Sequence, residues 1–319
     1  MIVEYVLLFL FFSIFVLFAN FAEKNGVARI ILYVILAGIC ASEMAFALLS
    51  FVVGKYLYFL TELLPKSFYY MGGGLIFSGV AGGLLLLKRV RRALPLPIDP
   101  NSTLHATGLF VMVQLSVIIV FFALAQNPIE DTGKDYSITN MELAINMLFY
   151  FIIAFLAVGF PLRRNFGETV KRLALARPTL IGLGLAILFC IILIVVDMLF
   201  SAAEAHFFPE VHHRLNEILE TITLSLSKNM VAVLLFGISA GVGEELVFRG
   251  ALQPRYGILL TSLFFSLMHT SLYGLTLATA STFVAGILFG LLRKMTDTTT
   301  PIIAHTLYDI TVTVLNFYF

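Results

Sequence analysis

The sequence predicts an all-α fold, a polytopic transmembrane helix bundle of about ten spans (roughly eight to ten). Three observations predict it. The 319 residues are 60% hydrophobic and only 12% charged, with a mean hydropathy of +0.99; an ordinary soluble domain carries about 25% charged residues. Apolar runs of the roughly 20 residues that a bilayer crossing needs recur from end to end. Lys and Arg collect in alternate connections between those runs, as they do where alternate loops face the cytoplasm.

The runs lie at 2–20, 29–53, 69–87, 104–125, 142–162, 179–200, 229–249, 257–272, 277–292 and 301–318, the eighth and ninth being short. The first begins Met1-Ile2-Val3-Glu4 without a basic flank, and Ala19 to Ala22 make a poor cleavage site, so it reads as a retained membrane segment and not a cleaved signal. The third holds Gly72-Gly73-Gly74, Gly79 and Gly82-Gly83. No Lys-Ser/Thr follows to make a phosphate loop, and such glycines let helix backbones approach closely in lipid. Residues 163–178 are basic and are expected along the inner headgroup surface. Residues 201–228 carry Glu204, Glu210, Glu217 and Glu220 with His206, His212 and His213, and read as a solvated, partly helical loop. A metal site at His212-His213 is disfavoured, because adjacent helical residues face different directions.

With the N-terminus outside, the inner connections hold Lys24 and Arg29; Lys88, Arg89, Arg91 and Arg92; Arg163, Arg164, Lys171, Arg172 and Arg177; Arg255; and Arg293 and Lys294. The outer ones hold only Lys55, Lys66, Lys134, Arg214 and Lys228. The expectation is a multi-pass protein of a plasma or inner membrane, with the lipid bilayer as its surroundings. A net charge of +1 offers no field to draw nucleic acid. Cys40 and Cys190 sit in apolar runs and read as small buried hydrophobes, not a disulfide or metal framework.

Charge inside the membrane carries the most information, since each such residue near a helix centre costs about 2.5–3.5 kcal/mol on insertion scales. Three pieces fall in the last third of the chain. In Gly243-Glu244-Glu245-Leu246-Val247-Phe248-Arg249-Gly250, Glu245 and Arg249 are four apart and can pair on one face, which leaves Glu244 turned away without that partner. A poorly solvated carboxylate suits general-base work; the plainer reading is an interfacial cluster that snorkels to the headgroups. In Phe264-Phe265-Ser266-Leu267-Met268-His269, a histidine ends an apolar run, where a structural hydrogen-bonded residue is the plainer reading. In Pro301-Ile302-Ile303-Ala304-His305-Thr306-Leu307-Tyr308-Asp309, His305 and Asp309 share a face, so the Asp can fix the imidazole's tautomer or the two simply satisfy each other. One shared, water-filled site accounts for all three pieces at once.

In this order, Glu244-Glu245-x-x-x-Arg249, Phe265-x-x-x-His269 and His305-x-x-x-Asp309 resemble the CPBP intramembrane protease family, also called the CaaX-protease or Abi family, in its type II CaaX prenyl endopeptidase group. Phe248 and Gly250 fit the same context, and the resemblance covers about residues 229–317. It implies a protease core over 179–319, preceded by an extension of about five helices over 1–178. It further implies that Glu244 and His269 activate the attacking water, that His305 and Asp309 face the scissile carbonyl, and that Glu245 and Arg249 support the site. An ionised Asp309 cannot donate to an oxyanion as the Asn of some family members can. Asp309 must then be protonated, orient His305, or bind a metal. The reading requires no cofactor; the alternative is zinc held by Glu244, His269, His305 and Asp309, a plausible nitrogen and oxygen set.

The expected partner is a peptide or protein substrate, lipidated or membrane-associated. Two other readings stand beside the protease. Glu43 in the second run and Asp197 in the sixth suit an ion- or proton-coupled transporter, though no inverted repeat accompanies them. A catalytically silent scaffold of the same fold is the third.

Overall fold

The computed structural model describes residues 2–61, 66–126, 137–226 and 229–318; Lys134 and Lys228, assigned above to outer connections, lie outside them. The described elements are helices: α1 Ile2–Ala22, α2 Gly26–Thr61, α3 Lys66–Leu86, α4 Lys88–Ala93, α5 Thr103–Gln126, α6 Asn140–Ala157, α7 Phe166–Arg172, α8 Leu180–Phe207, α9 Pro209–Leu226, α10 Met230–Glu245, α11 Gln253–Met268, α12 Thr270–Tyr273, α13 Leu277–Met295 and α14 Thr299–Tyr318. A π-helical turn, Leu246–Leu252, joins α10 to α11. The protein is an all-α polytopic membrane bundle, and the apolar runs fall on helices, the fifth extending beyond the end of α6 at Ala157.

Among the described residues, seven stretches are long and apolar enough to cross a membrane. One of them, Met230–Tyr273, has 44 residues, about 66 Å at helical rise, twice the roughly 30 Å of a hydrocarbon core. It contains the seventh and eighth runs and breaks at Gly257, whose φ of 80° is a left-handed value that glycine tolerates. α1 contributes a shorter apolar stretch, Phe9–Ala22, and α14 is outside the seven.

Two groups of helices build the bundle. In the first, α3 packs between α2 and α5, and its glycines make room: a Cβ on Gly79 would come within 2.9 Å of the Cys40 carbonyl oxygen, and one on Gly74 would strike the Phe121 ring. Between these helices Glu43 is buried and accepts hydrogen bonds from Ser78 Oγ (3.0 Å) and Gln114 Nε2 (3.2 Å). In the second group, α10 lies between α6 and α14, while α13 lies against α8 and α11. α6 starts in a capping box of Thr139 and Glu142, and its Leu143 carbonyl accepts from Ser239 of α10 at 2.8 Å. α5 also packs directly on α11. Cys40 and Cys190 are both free and buried.

The basic connections meet at one end of the bundle. Residues 163–178 contain α7, capped by Asn165 and Glu168, and Arg172 donates to the Gly250 carbonyl at 3.1 Å. Arg255 donates to the Ala157 carbonyl at 3.2 Å. Burial, with the guanidiniums of Arg255, Arg164 and Arg293 nearby, pulls Arg172 down to about 10.

Residues 201–228 are more ordered than a solvated loop. α8 continues to Phe207 and α9 fills Pro209–Leu226. The reason is an apolar stripe: Leu215, Ile218, Ile222 and Leu226 recur at three- and four-residue spacing and are buried. Glu204 is buried too, accepting from the Leu277 N–H at 3.0 Å where α13 begins. His212 faces Asn216 at 3.0 Å and His213 faces Glu217 at 3.4 Å, so the two rings have different partners.

Candidate active site

The end of α10 and the π turn set the first motif. Glu245 is 0% exposed and Arg249 1%. Their side chains form an ion pair, Arg249 Nη1 to Glu245 Oε1 at 3.0 Å. Three rings enclose the guanidinium: it lies 4.5 Å from the centroid of Phe265, 5.2 Å from Phe289 and 5.8 Å from Phe248. Its Nη2 donates to the Gly286 carbonyl at 3.2 Å. A buried guanidinium is tolerable where a carboxylate, a carbonyl and π faces replace water.

The same carboxylate holds the third motif. His305 Nδ1 donates to Glu245 Oε1 at 2.9 Å. On the ring's other side Nε2 lies 3.5 Å from Asp309 Oδ2. The imidazole stacks on Phe289, centroids 4.7 Å apart and planes at 23°. Close approach of α10 and α14 allows this, since a Cβ on Gly241 would lie 2.8 Å from the Ile302 carbonyl oxygen. Glu245 and Arg249 thus pair as their spacing predicts, but Glu245 also orients His305, a contact across 60 positions that spacing cannot reveal.

In the second motif, His269 Nδ1 donates to the Phe265 carbonyl at 2.8 Å. A carbonyl only accepts, so the neutral ring carries its proton on Nδ1 and keeps the Nε2 lone pair free. Phe265 therefore serves twice: its backbone fixes His269, and its ring covers Arg249.

His269, His305 and Asp309 line one cavity of about 220 Å³, which faces of α8, α9, α13 and α14 also line. Asp197, Tyr273 and Tyr308 line it as well. Tyr308 and Ser281 both hydrogen-bond Asp197, and Tyr273 stacks near His269 with centroids 6.1 Å apart and planes at 17°. Glu244 is placed differently. It is only partly exposed, does not line the cavity, and leaves Oε2 buried without a hydrogen-bond partner. It lies beside Tyr150 of α6 and within electrostatic reach of Tyr273, His305 and Asp309. The structure thus brings His269, His305 and Asp309 to one cavity and leaves Glu244 outside its lining, toward α6.

Among the described residues, no three His, Cys, Asp or Glu side chains are grouped as ligands of one metal ion. Glu245 and Phe265 already engage the Nδ1 atoms of His305 and His269.

Tyr273, Tyr308 and Asp197 did not figure among the catalytic candidates. Tyr273 and Tyr308 are one helical turn from His269 and one residue from Asp309, a proximity the sequence does contain.

Residues 226–311 match the family described as type II CAAX prenyl endopeptidase Rce1-like, a segment that holds all three motifs. No curated protein and no solved structure matches the chain. Over residues 226–311 the chain is thus similar to the CPBP, or CAAX protease, family.

Proposed function

We propose that this protein is an intramembrane endopeptidase that hydrolyses a peptide bond with water activated by Glu244 and His269. The observation that carries the reading is that His269, His305 and Asp309, all in the family-matched segment, line one cavity. Cavities that close over polar side chains at membrane depth are costly to build without a use. The chemistry then follows from each group's free atoms. His269 presents Nε2 as an acceptor for a water proton, and Glu244 has an unclaimed carboxylate oxygen. His305, held by Glu245, and Asp309 face the scissile carbonyl. Water attack through such a base needs no covalent intermediate, and no cofactor enters it. The substrate is a peptide or protein segment entering from the membrane; lipidation of that segment is part of the proposal.

The test is cleavage of internally quenched peptides by the purified protein in proteoliposomes, with and without chelator. Native protein is expected to cleave in both conditions. Glu244→Ala and His269→Ala are expected to insert and accumulate normally but release no product. Native-like activity in Glu244→Ala would remove the proposed base. Loss of activity with chelator, restored by zinc, would replace the metal-free scheme with the zinc one.

A further inference from the structure

Resting on that reading, we infer that Tyr273 is a further catalytic residue, its hydroxyl donating the hydrogen bond that stabilises the oxyanion formed in peptide hydrolysis. Attack by water generates negative charge on the former carbonyl oxygen, and a preorganised donor aimed at that charge is often the largest single contribution to such catalysis. The residues first considered for the task are poor donors here. Asp309 donates nothing when ionised. The Nε2 of His305 is turned toward Asp309 at 3.5 Å.

Three other hydroxyls on the cavity wall are already committed. Tyr308 and Ser281 hydrogen-bond Asp197, and Thr282 Oγ1 donates to the Ala278 carbonyl at 2.9 Å. Tyr273 differs. It lines the cavity, and among the described residues no acceptor claims its hydroxyl. Its position is fixed by secondary structure. α12 is a single turn, Thr270–Tyr273, that follows His269 directly, and the Tyr273 N–H donates to the His269 carbonyl at 3.0 Å. The two rings therefore share one face and lie nearly parallel, at 17°. Imidazole and phenol thus stand side by side on the wall of the same cavity. Asp197, Asp309 and Glu244 all lie within electrostatic reach of the phenol without hydrogen-bonding it.

The step balances without a proton from tyrosine. The water oxygen bonds to the carbonyl carbon, the π pair moves onto the carbonyl oxygen, and the water's proton passes to His269 Nε2, with Glu244 as the nearby counter-charge. Tyr273 donates a hydrogen bond to the oxyanion and keeps its proton. Collapse restores the carbonyl, breaks the C–N bond, and returns the proton from His269 to the leaving amine.

The experiment compares native protein, Tyr273→Phe and Glu244→Ala in the peptide assay. Phenylalanine preserves the ring beside His269 and removes only the donor. The expected result is a fall in kcat of about a hundred- to a thousandfold, with KM nearly unchanged. A phosphonamidate peptide, whose anionic oxygen occupies the oxyanion position, should lose affinity for Tyr273→Phe in proportion; this binding measurement also reports whether the variant is folded. Native kcat in Tyr273→Phe beside an inactive Glu244→Ala overturns the tyrosine's role and leaves the hydrolase intact. Absence of cleavage by native protein overturns both.

Discussion

Glu245 Oε1 lies 2.9 Å from His305 Nδ1 and 3.0 Å from Arg249 Nη1, so one fully buried carboxylate joins two of the three motifs. Removing it leaves a buried guanidinium without its counter-charge, a change that costs about 3–5 kcal/mol. Glu245→Ala is therefore expected to lower the melting temperature in detergent sharply and to abolish cleavage. The paired replacement Glu245→Leu with Arg249→Met removes both charges together and should recover most of the stability, as apolar substitutes for buried ion pairs do. It should not recover activity, because His305 still lacks the group that orients it. Melting curves and peptide assays on the single and double variants separate the two roles. Recovered activity in the double variant would contradict the orienting role.

The joint depends on how closely two helices meet. A Cβ at Gly241 would lie 2.8 Å from the Ile302 carbonyl oxygen and 2.9 Å from the Thr306 nitrogen, both backbone atoms that cannot swing aside. Gly241→Ala must move α10 from α14, and overpacking of this kind costs about 1–3 kcal/mol. The expected outcome is a modest loss of stability with a larger loss of kcat, since Glu245 and His305 sit on opposite sides of the same contact. Gly83→Ala provides the comparison: nothing lies within 4 Å of its Cβ position, so both readouts should stay native.

These two predictions also mark where the sequence is readable. The helices of the ten apolar runs follow from hydropathy alone, without knowledge of packing. The pairing of Glu245 with Arg249 was equally legible, because four-residue spacing on a helix is local geometry. His305 could not be placed on Glu245 in that way, since the contact depends on the glycine-lined approach of α10 to α14. α9 was hidden for a different reason. Its glutamates and histidines suggested a solvated, partly helical loop, while Leu215, Ile218, Ile222 and Leu226 carry the helical period beneath them. Hydropathy averaged over 201–228 conceals a stripe that residue spacing shows. The position of Glu244 toward Tyr150 of α6 was also out of reach, because it requires knowing which helix stands behind α10.

Orientation can be checked by labelling. Arg214 on α9 and Lys171 on α7 are both exposed, and both native cysteines are buried. The distribution of basic residues places Arg214 outside and Lys171 inside. Arg214→Cys should react with a membrane-impermeant maleimide in intact cells, whereas Lys171→Cys should react only after the membrane is opened. Native protein, with Cys40 and Cys190 shielded, should remain unlabelled. Reversed labelling would invert the topology, and labelling of both sites from outside would require a crossing fewer or more between them.

α9 is the wall of the cavity that sequence reading missed, and its role can be tested by filling the space beside it. Leu219 lines the cavity together with Ile222 and Leu226 of the same helix, facing the surfaces that carry His269 and Asp309. Tryptophan at this position adds bulk to a volume of about 220 Å³. If peptide occupies that volume, Leu219→Trp displaces it from the reacting groups, and a misplacement near 1 Å already costs about a hundredfold. The expected result is a fall in kcat/KM of at least about tenfold, while the melting temperature changes little because empty space, not packed core, receives the ring. Glu220 lies on the exposed face of the same helix, so Glu220→Trp should leave cleavage unchanged. Equal activity in the two variants would mean that substrate reaches His269 by a route that does not pass α9.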